Sequence, residues 1–270
     1  MKYACFSDIH GNIEAFKACY EDAIKKGVNG FIFCGDYITD ILRANEVISL
    51  VNEISSKYEC YIVKGNREDE ILKYSNHEVN YIIGSNEESF LLTYYQLFKS
   101  NIDFISQLKT QQVFSINNLT ISLSHMLSDS SDADIIITGH THIQSSMYDN
   151  GILYVNPGSI GLNNDGRVGA TYSIINFGKL VEVEEYIVNY DVDSVICDVK
   201  NSLLSGITCC WDQVIINTLE QGLPYSTVFI QVMNNIAKNN GYDPSLDYIP
   251  KKIWQEALNY TKKVINTNGD

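Results

Sequence analysis

Between Lys2 and Val63 three short apolar runs alternate with two longer amphipathic segments, and few folds accept that succession. Lys2 to Ser7, Gly30 to Cys34 and Glu59 to Val63 have the length and composition of strands. Asn12 is placed to cap a helix whose Ile13, Phe16, Tyr20 and Ile24 share one face before Gly27 ends it. Asp40 is placed to cap a second helix from about Ile41 to Ser56. A β-α-β-α-β order requires parallel strands joined by right-handed crossovers, and it gathers polar chemistry at the carboxyl ends of the strands. The expected class is therefore α/β.

From about Gln112 the pattern changes to strands with short connections: Leu119 to Ser124, Asp134 to Thr138, Ile152 to Val155, Thr171 to Asn176 and Val181 to Val188. These are expected to form a second sheet packed on the first. After about Asp191 the strand signals fade, and Trp254, Leu258, Thr261 and Ile265 recur at helical spacing after Pro250. The sequence is thus expected to divide into a main domain over residues 1–190 and a helical C-terminal extension over 191–270.

A net charge of -14 argues against non-specific binding to a nucleic-acid backbone, which needs clustered Lys and Arg. The 7 cysteines show no C-x-x-C spacing, and Cys5, Cys34 and Cys60 lie in apolar runs, so they read as reduced, small hydrophobes. The first strand-like segment begins at Lys2, leaving no room for a signal peptide, and no apolar run approaches the ~20 residues that span a bilayer. A cytoplasmic protein without a membrane partner is expected.

Five strand-like runs end in a residue able to bind a metal: Cys5-Phe6-Ser7-Asp8, Phe33-Cys34-Gly35-Asp36, Val63-Lys64-Gly65-Asn66, Leu123-Ser124-His125 and Thr138-Gly139-His140. Asp8 with His10, and His140 with His142, are two apart, so each pair can face one side if the backbone stays extended. Of the 5 histidines only His77 lies outside these segments. Carboxylates and imidazoles crowded at strand ends would go unpaired without a cation, and mixed imidazole, carboxylate and amide donors suit Mn, Fe, Ni or Zn.

Together Asp8-Ile9-His10-Gly11-Asn12, Gly35-Asp36, Gly65-Asn66, Ser124-His125, Gly139-His140-Thr141-His142 and Asn156-Pro157-Gly158-Ser159 resemble the motifs of the calcineurin-like metallophosphoesterases, in the family's order, over residues 2 to about 190. The likeness is nearest to a small bacterial and archaeal branch of phosphodiesterases and diadenosine tetraphosphatase relatives. In that branch the Asn-Pro-Gly-Ser segment leads into an Asp-Gly and a nearby Arg, here Asp165, Gly166 and Arg167. The resemblance implies a four-layer α/β/β/α sandwich and two divalent metal ions activating a bridging hydroxide against a small phosphorylated substrate. It implies that Asp8, His10, Asp36 and His142 hold one ion, that Asp36, Asn66, His125 and His140 hold the other, and that Asp36 bridges them.

Many family members follow the Gly-Asn pair with a His thought to protonate the leaving group; this chain has Arg67. A guanidinium does not give up its proton, but it clamps phosphate oxygens. The expected catalytic residues are Asp36, Asn66, Arg67 and His125, and the expected substrate-binding residues are Arg67, Asn12, Arg167 and Arg43. Glu68 and Asp69 are read as favouring the start of a short helix, and Cys209-Cys210 as core. Trp211 and Trp254 are candidates to cap a pocket. Two rival functions remain: a protein Ser/Thr phosphatase, encouraged by Gly35-Asp36-Tyr37 but lacking the Asp-Arg-Gly that continues that motif, and a non-catalytic metal-binding scaffold.

Overall fold

A computed structural model describes residues 1–128 and 132–267. The first half runs β1 (Lys2–Phe6), α1 (Ile13–Lys25), β2 (Gly30–Phe33), α2 (Ala44–Lys57), β3 (Glu59–Ile62), α3 (Asn66–Ser75), α4 (Glu88–Gln96) and α5 (Lys99–Ser106). Seven strands follow: β4 (Gln111–Ile116), β5 (Leu119–Ser124), β6 (Ile135–Ile137), β7 (Gln144–Asp149), β8 (Ile152–Pro157), β9 (Ala170–Phe177) and β10 (Val181–Val188). Helices α6 (Val192–Asn201), α7 (Leu203–Ile207), α8 (Trp211–Gln221), α9 (Tyr225–Asn239) and α10 (Lys251–Thr267) complete the chain.

Two mixed sheets flanked by helices make the α/β sandwich. One sheet has the order β10-β9-β1-β2-β3 and the other β4-β5-β6-β8-β7. Strands β1, β2 and β3 are parallel, as their helical crossovers require. Alternation along β1 divides the core: Ala4 and Phe6 face the helices with Phe16, Phe31 and Val47, whereas Tyr3 and Cys5 face the second sheet with Ile121, Ile137 and Val155.

Two local expectations change, and one strand is added. Strands β9 and β10 extend the first sheet instead of joining the second, with Ala4 of β1 opposite Ile174 of β9. Helix α2 begins at Ala44 with Arg43 at its N-cap and no side-chain cap, so Asp40 does not cap it. The edge strand β7 leaves most of its residues exposed and carries no apolar alternation to announce it. Asn12 does cap α1, its Oδ1 accepting from the backbone N–H of Ala15 at 3.1 Å.

The five C-terminal helices pack around Trp254, Phe229, Met233 and Val214, and that cluster also takes in Ile41, Leu92 and Leu162 from the preceding fold. Among the described residues no helix is long and apolar enough to cross a membrane.

Candidate metal centre

The seven expected ligands meet where the carboxyl ends of strands from both sheets converge. Asp8 and His10 follow β1, Asp36 follows β2 and Asn66 opens α3 after β3; His125 follows β5, and His140 and His142 follow β6. The backbone does not stay extended at the paired positions: Asp8, His10, His140 and His142 have φ of 53°, 49°, 70° and 58°. Tight left-handed turns bring the side chains in. Close approach at two glycines fits the loops together, since a Cβ at Gly65 would stand 2.1 Å from Asp36 Oδ1 and one at Gly139 would stand 1.9 Å from Ser7 Oγ.

Nε2 of His142 lies 3.2 Å from Asp8 Oδ1 and 3.1 Å from Nε2 of His10. Nε2 of His125 lies 3.3 Å from Asp36 Oδ2 and 3.0 Å from Asn66 Oδ1, and Nδ1 of His140 lies 3.1 Å from the same amide oxygen. His140 and His142 therefore serve opposite sides of the centre. Two groups have donor spacing that a metal ion could take, Asp8-His10-His142 and Asp8-Asp36-His125, so Asp8 is common to both. Asp36 also sits between the two sides, its Oδ2 being 3.9 Å from His10 Nε2.

The outer nitrogens decide how these rings present themselves. Nδ1 of His125 faces the Cys34 carbonyl at 2.8 Å and Nδ1 of His142 the Leu162 carbonyl at 2.5 Å. A carbonyl only accepts, so Nδ1 carries the proton and Nε2 turns its lone pair inward. Nδ1 of His10 faces Asp40 Oδ2 at 2.9 Å. Inward lone pairs meet carboxylate oxygens, and Asp8 Oδ1, fully buried, has no hydrogen-bond partner among the described residues. Such a donor set fits a divalent cation. Burial opposes charge on His10 and His125, but the neighbouring carboxylates favour it: Asp40 and Asp8 raise the first to about 9, and Asp36 and Asp8 raise the second to about 10. Against its own burial, the imidazoles hold Asp8 well below the usual carboxylate range.

Four supporting residues complete the centre. The buried Glu68 accepts from the backbone N–H groups of Gly65 and Asp36 on Oε2 and of Tyr37 on Oε1, at 2.8, 2.9 and 2.9 Å, tying the loop after β2 to the start of α3. Asp40, having turned its Oδ2 to His10, accepts from Trp211 Nε1 on Oδ1 at 3.1 Å. Asn156 donates to the Gly139 carbonyl at 2.7 Å, and Ser159 donates to the Asp8 carbonyl at 2.8 Å, so the Asn-Pro-Gly-Ser segment braces both ligand loops. A cavity of about 470 Å³ opens on the cluster, lined by His10, Asp36, Asp40, Arg67, His140, His142 and by residues of α8 and α9. A larger groove of about 850 Å³ beside α1 and α2 holds none of these ligands.

The family profile of the calcineurin-like phosphoesterase superfamily domain matches residues 1–179. This chain belongs to that superfamily. It is accordingly a metallophosphoesterase, a hydrolase. The phosphoesterase is 25% identical over 220 residues to an uncharacterized protein of Methanocaldococcus jannaschii, covering 70% of this chain and 88% of that one. It shares its fold with a hypothetical protein of Pyrococcus horikoshii, at a TM-score of 0.69 and 16% identity over 82% of this chain and 98% of that one. A metallophosphoesterase of Sphaerobacter thermophilus is similar at a TM-score of 0.64 and 18% identity, over 83% of this chain and 100% of that one.

The four residues expected to bind substrate part company in this phosphoesterase. Arg67 lines the cavity, with its guanidinium 5.1 Å above the Phe90 ring and its Nε without a hydrogen-bond partner among the described residues. Asn12 is spent on the fold, donating to the Gly161 carbonyl and the Tyr190 hydroxyl, both at 3.2 Å. Arg43 is bound to Glu46 and Asp198, each at 2.7 Å, and Arg167 to Asp165 and Gln144; neither lines the cavity. Of the two tryptophans, Trp211 reaches the cavity and Trp254 lies in the core. The roles of Glu68 and Asp40 were missed. The first had a signal, a Glu three residues after Gly65, where it can reach back to the backbone.

Proposed function

We propose that this phosphoesterase holds two divalent ions, drawn from Mn, Fe, Ni and Zn, and hydrolyses a small phosphodiester or nucleotide phosphate in the cytoplasm. Asp8, His10, Asp36 and His142 would hold one ion, and Asp36, Asn66, His125 and His140 the other. The observation that best supports this is the inward convergence of imidazole nitrogens on Asp8 and Asp36, with Asp8 Oδ1 left without a hydrogen-bond partner among the described residues. Bound there, divalent ions supply polarisation of phosphate oxygens and a water of lowered pKa. The remaining tasks fall to the chain. Arg67, braced over Phe90, clamps a phosphate oxygen with its guanidinium; Asp40 fixes the ring of His10; Glu68 keeps the loop bearing Asp36 from shifting. Residues 1–190 carry this chemistry, and residues 191–270 form an extension that borders it.

Asp36→Asn tests the two-ion reading. Turnover with added metal should fall at least about a hundredfold and the number of ions bound should drop, with the circular-dichroism spectrum of the metal-free protein retained. Wild-type turnover in the variant would end the assignment. A screen of phosphodiesters, monoesters, dinucleoside polyphosphates and phosphopeptides with each metal then ranks the substrate classes.

A further inference from the structure

Opposite the ligand loops the cavity is bounded by one face of α9. Ser226, Thr227, Ile230 and Gln231 line it, a spacing that places them on adjoining turns of one side of the helix. The other side of α9 is anchored: Tyr225, Phe229, Met233 and Ala237 are buried in the C-terminal core. The position of this wall is thus set by packing.

The two walls differ in chemistry. The loop side presents Asp36, Asp40, Arg67 and three imidazoles; the α9 side, with Leu162 and Trp211, offers two hydroxyls, one carboxamide, aliphatic surface and an indole. No group on that side ionises near neutral pH. Arg67 is the only arginine or lysine among the described lining residues, and its Nε already lies 3.9 Å from Asp36 Oδ2. A second phosphate on the far arm of a substrate would lose water here and find no counter-charge. An uncharged arm would meet hydrogen-bonding groups and apolar surface. At about 470 Å³ the cavity belongs with small-molecule sites.

We propose that the exposed face of α9 is a specificity wall, accepting phosphate esters whose second arm is compact, uncharged and of nucleoside size, and rejecting esters that carry a further phosphate. This rests on the phosphoesterase function proposed above and names its substrate class.

The test uses the full chain loaded with Mn and two substrates: thymidine p-nitrophenyl phosphate, and the same diester with a second phosphate on its sugar. Wild type should favour the first by at least about tenfold in kcat/KM. Thr227→Lys and Gln231→Lys each place a cation on the wall at an exposed position, and each should shrink that ratio, chiefly through KM. Equal kcat/KM for the two substrates in wild type, or a ratio unmoved in both variants, overturns the wall. Calorimetric binding of the matching non-hydrolysed phosphorothioates separates the two ideas. Discrimination in binding that shifts in the Lys variants, without turnover of either diester, keeps the wall and overturns the proposed hydrolysis; robust turnover with a fixed ratio does the reverse.

Discussion

Arg67 is the residue on which the proposed chemistry of bond breaking turns. It stands in the cavity where relatives are thought to keep a proton donor, and a guanidinium keeps its proton. On the proposed function, the departing oxygen would then leave with most of its charge. Across a series of substituted aryl and alkyl esters, with chemistry limiting turnover, the rate should fall steeply as leaving-group pKa rises; Arg67→His should flatten the slope and Arg67→Ala should mainly raise KM. A flat wild-type slope would point to an unrecognised acid, and His77, exposed beyond the end of α3, does not line the cavity. Trp211 acts through its neighbour. Trp211→Phe keeps a ring but removes the donor to Asp40, so Asp40 holds His10 less firmly and metal affinity should fall about tenfold by calorimetry. Unchanged affinity would reduce Trp211 to packing. This link could not be read from the sequence, because its two residues are 171 positions apart and Asp40 lay where a helix cap was equally natural.

Helix α4 carries a buried acid whose titration should show in stability. Glu88, 1% exposed, accepts from the backbone N–H groups of Gly84 at 2.9 Å and Cys209 at 3.3 Å, joining α4 to the segment before α8. Burial pushes its carboxyl up to about 7. With the folded value above the unfolded one, the folded state binds the extra proton, so Glu88's contribution is full below the ordinary carboxylate range and is lost as pH rises through about 7. Between pH of about 5 and 8 wild type should lose stability relative to Glu88→Gln, by on the order of 2 kcal/mol in denaturant titrations. Parallel profiles would contradict that assignment. At this scale the sequence was legible where amphipathic period and cap agreed, as in α1, and where apolar runs ended at Gly-Asp or Gly-His. It was illegible in partner choice. Strand β9 is buried along most of its length, and nothing in its composition says that its neighbours are β1 and β10 and not the strands that precede it.

For the whole molecule the C-terminal helices are less separable than their position after the family match implies. They bury Ile41, Leu92 and Leu162, for which burial is worth about 2 kcal/mol each against a total stability of roughly 5–15 kcal/mol, and they supply Trp211 to Asp40. A chain ending at residue 190 should bind an apolar dye, associate in solution and take up metal more weakly than the full chain. A monomeric fragment with a cooperative melt and full metal affinity would show that the extension is dispensable. The helical character of the C-terminal region was legible from spacing such as Trp254 to Leu258, and Trp211 was a candidate to cap a pocket, but its bond to Asp40 was not legible, because amphipathic period marks a buried face without naming what covers it. Finally, Asp8, His10, Asp36, Thr39, Asp40, His140 and His142 all hold positive φ, which costs a non-glycine residue about 1 kcal/mol. In evolutionary terms these are positions where heredity is held against the backbone's preference. A lineage propagated for thermal endurance alone, with no demand for turnover, should drift at those seven sites toward Gly and Asn, losing its ligands in the order in which their backbones gain most.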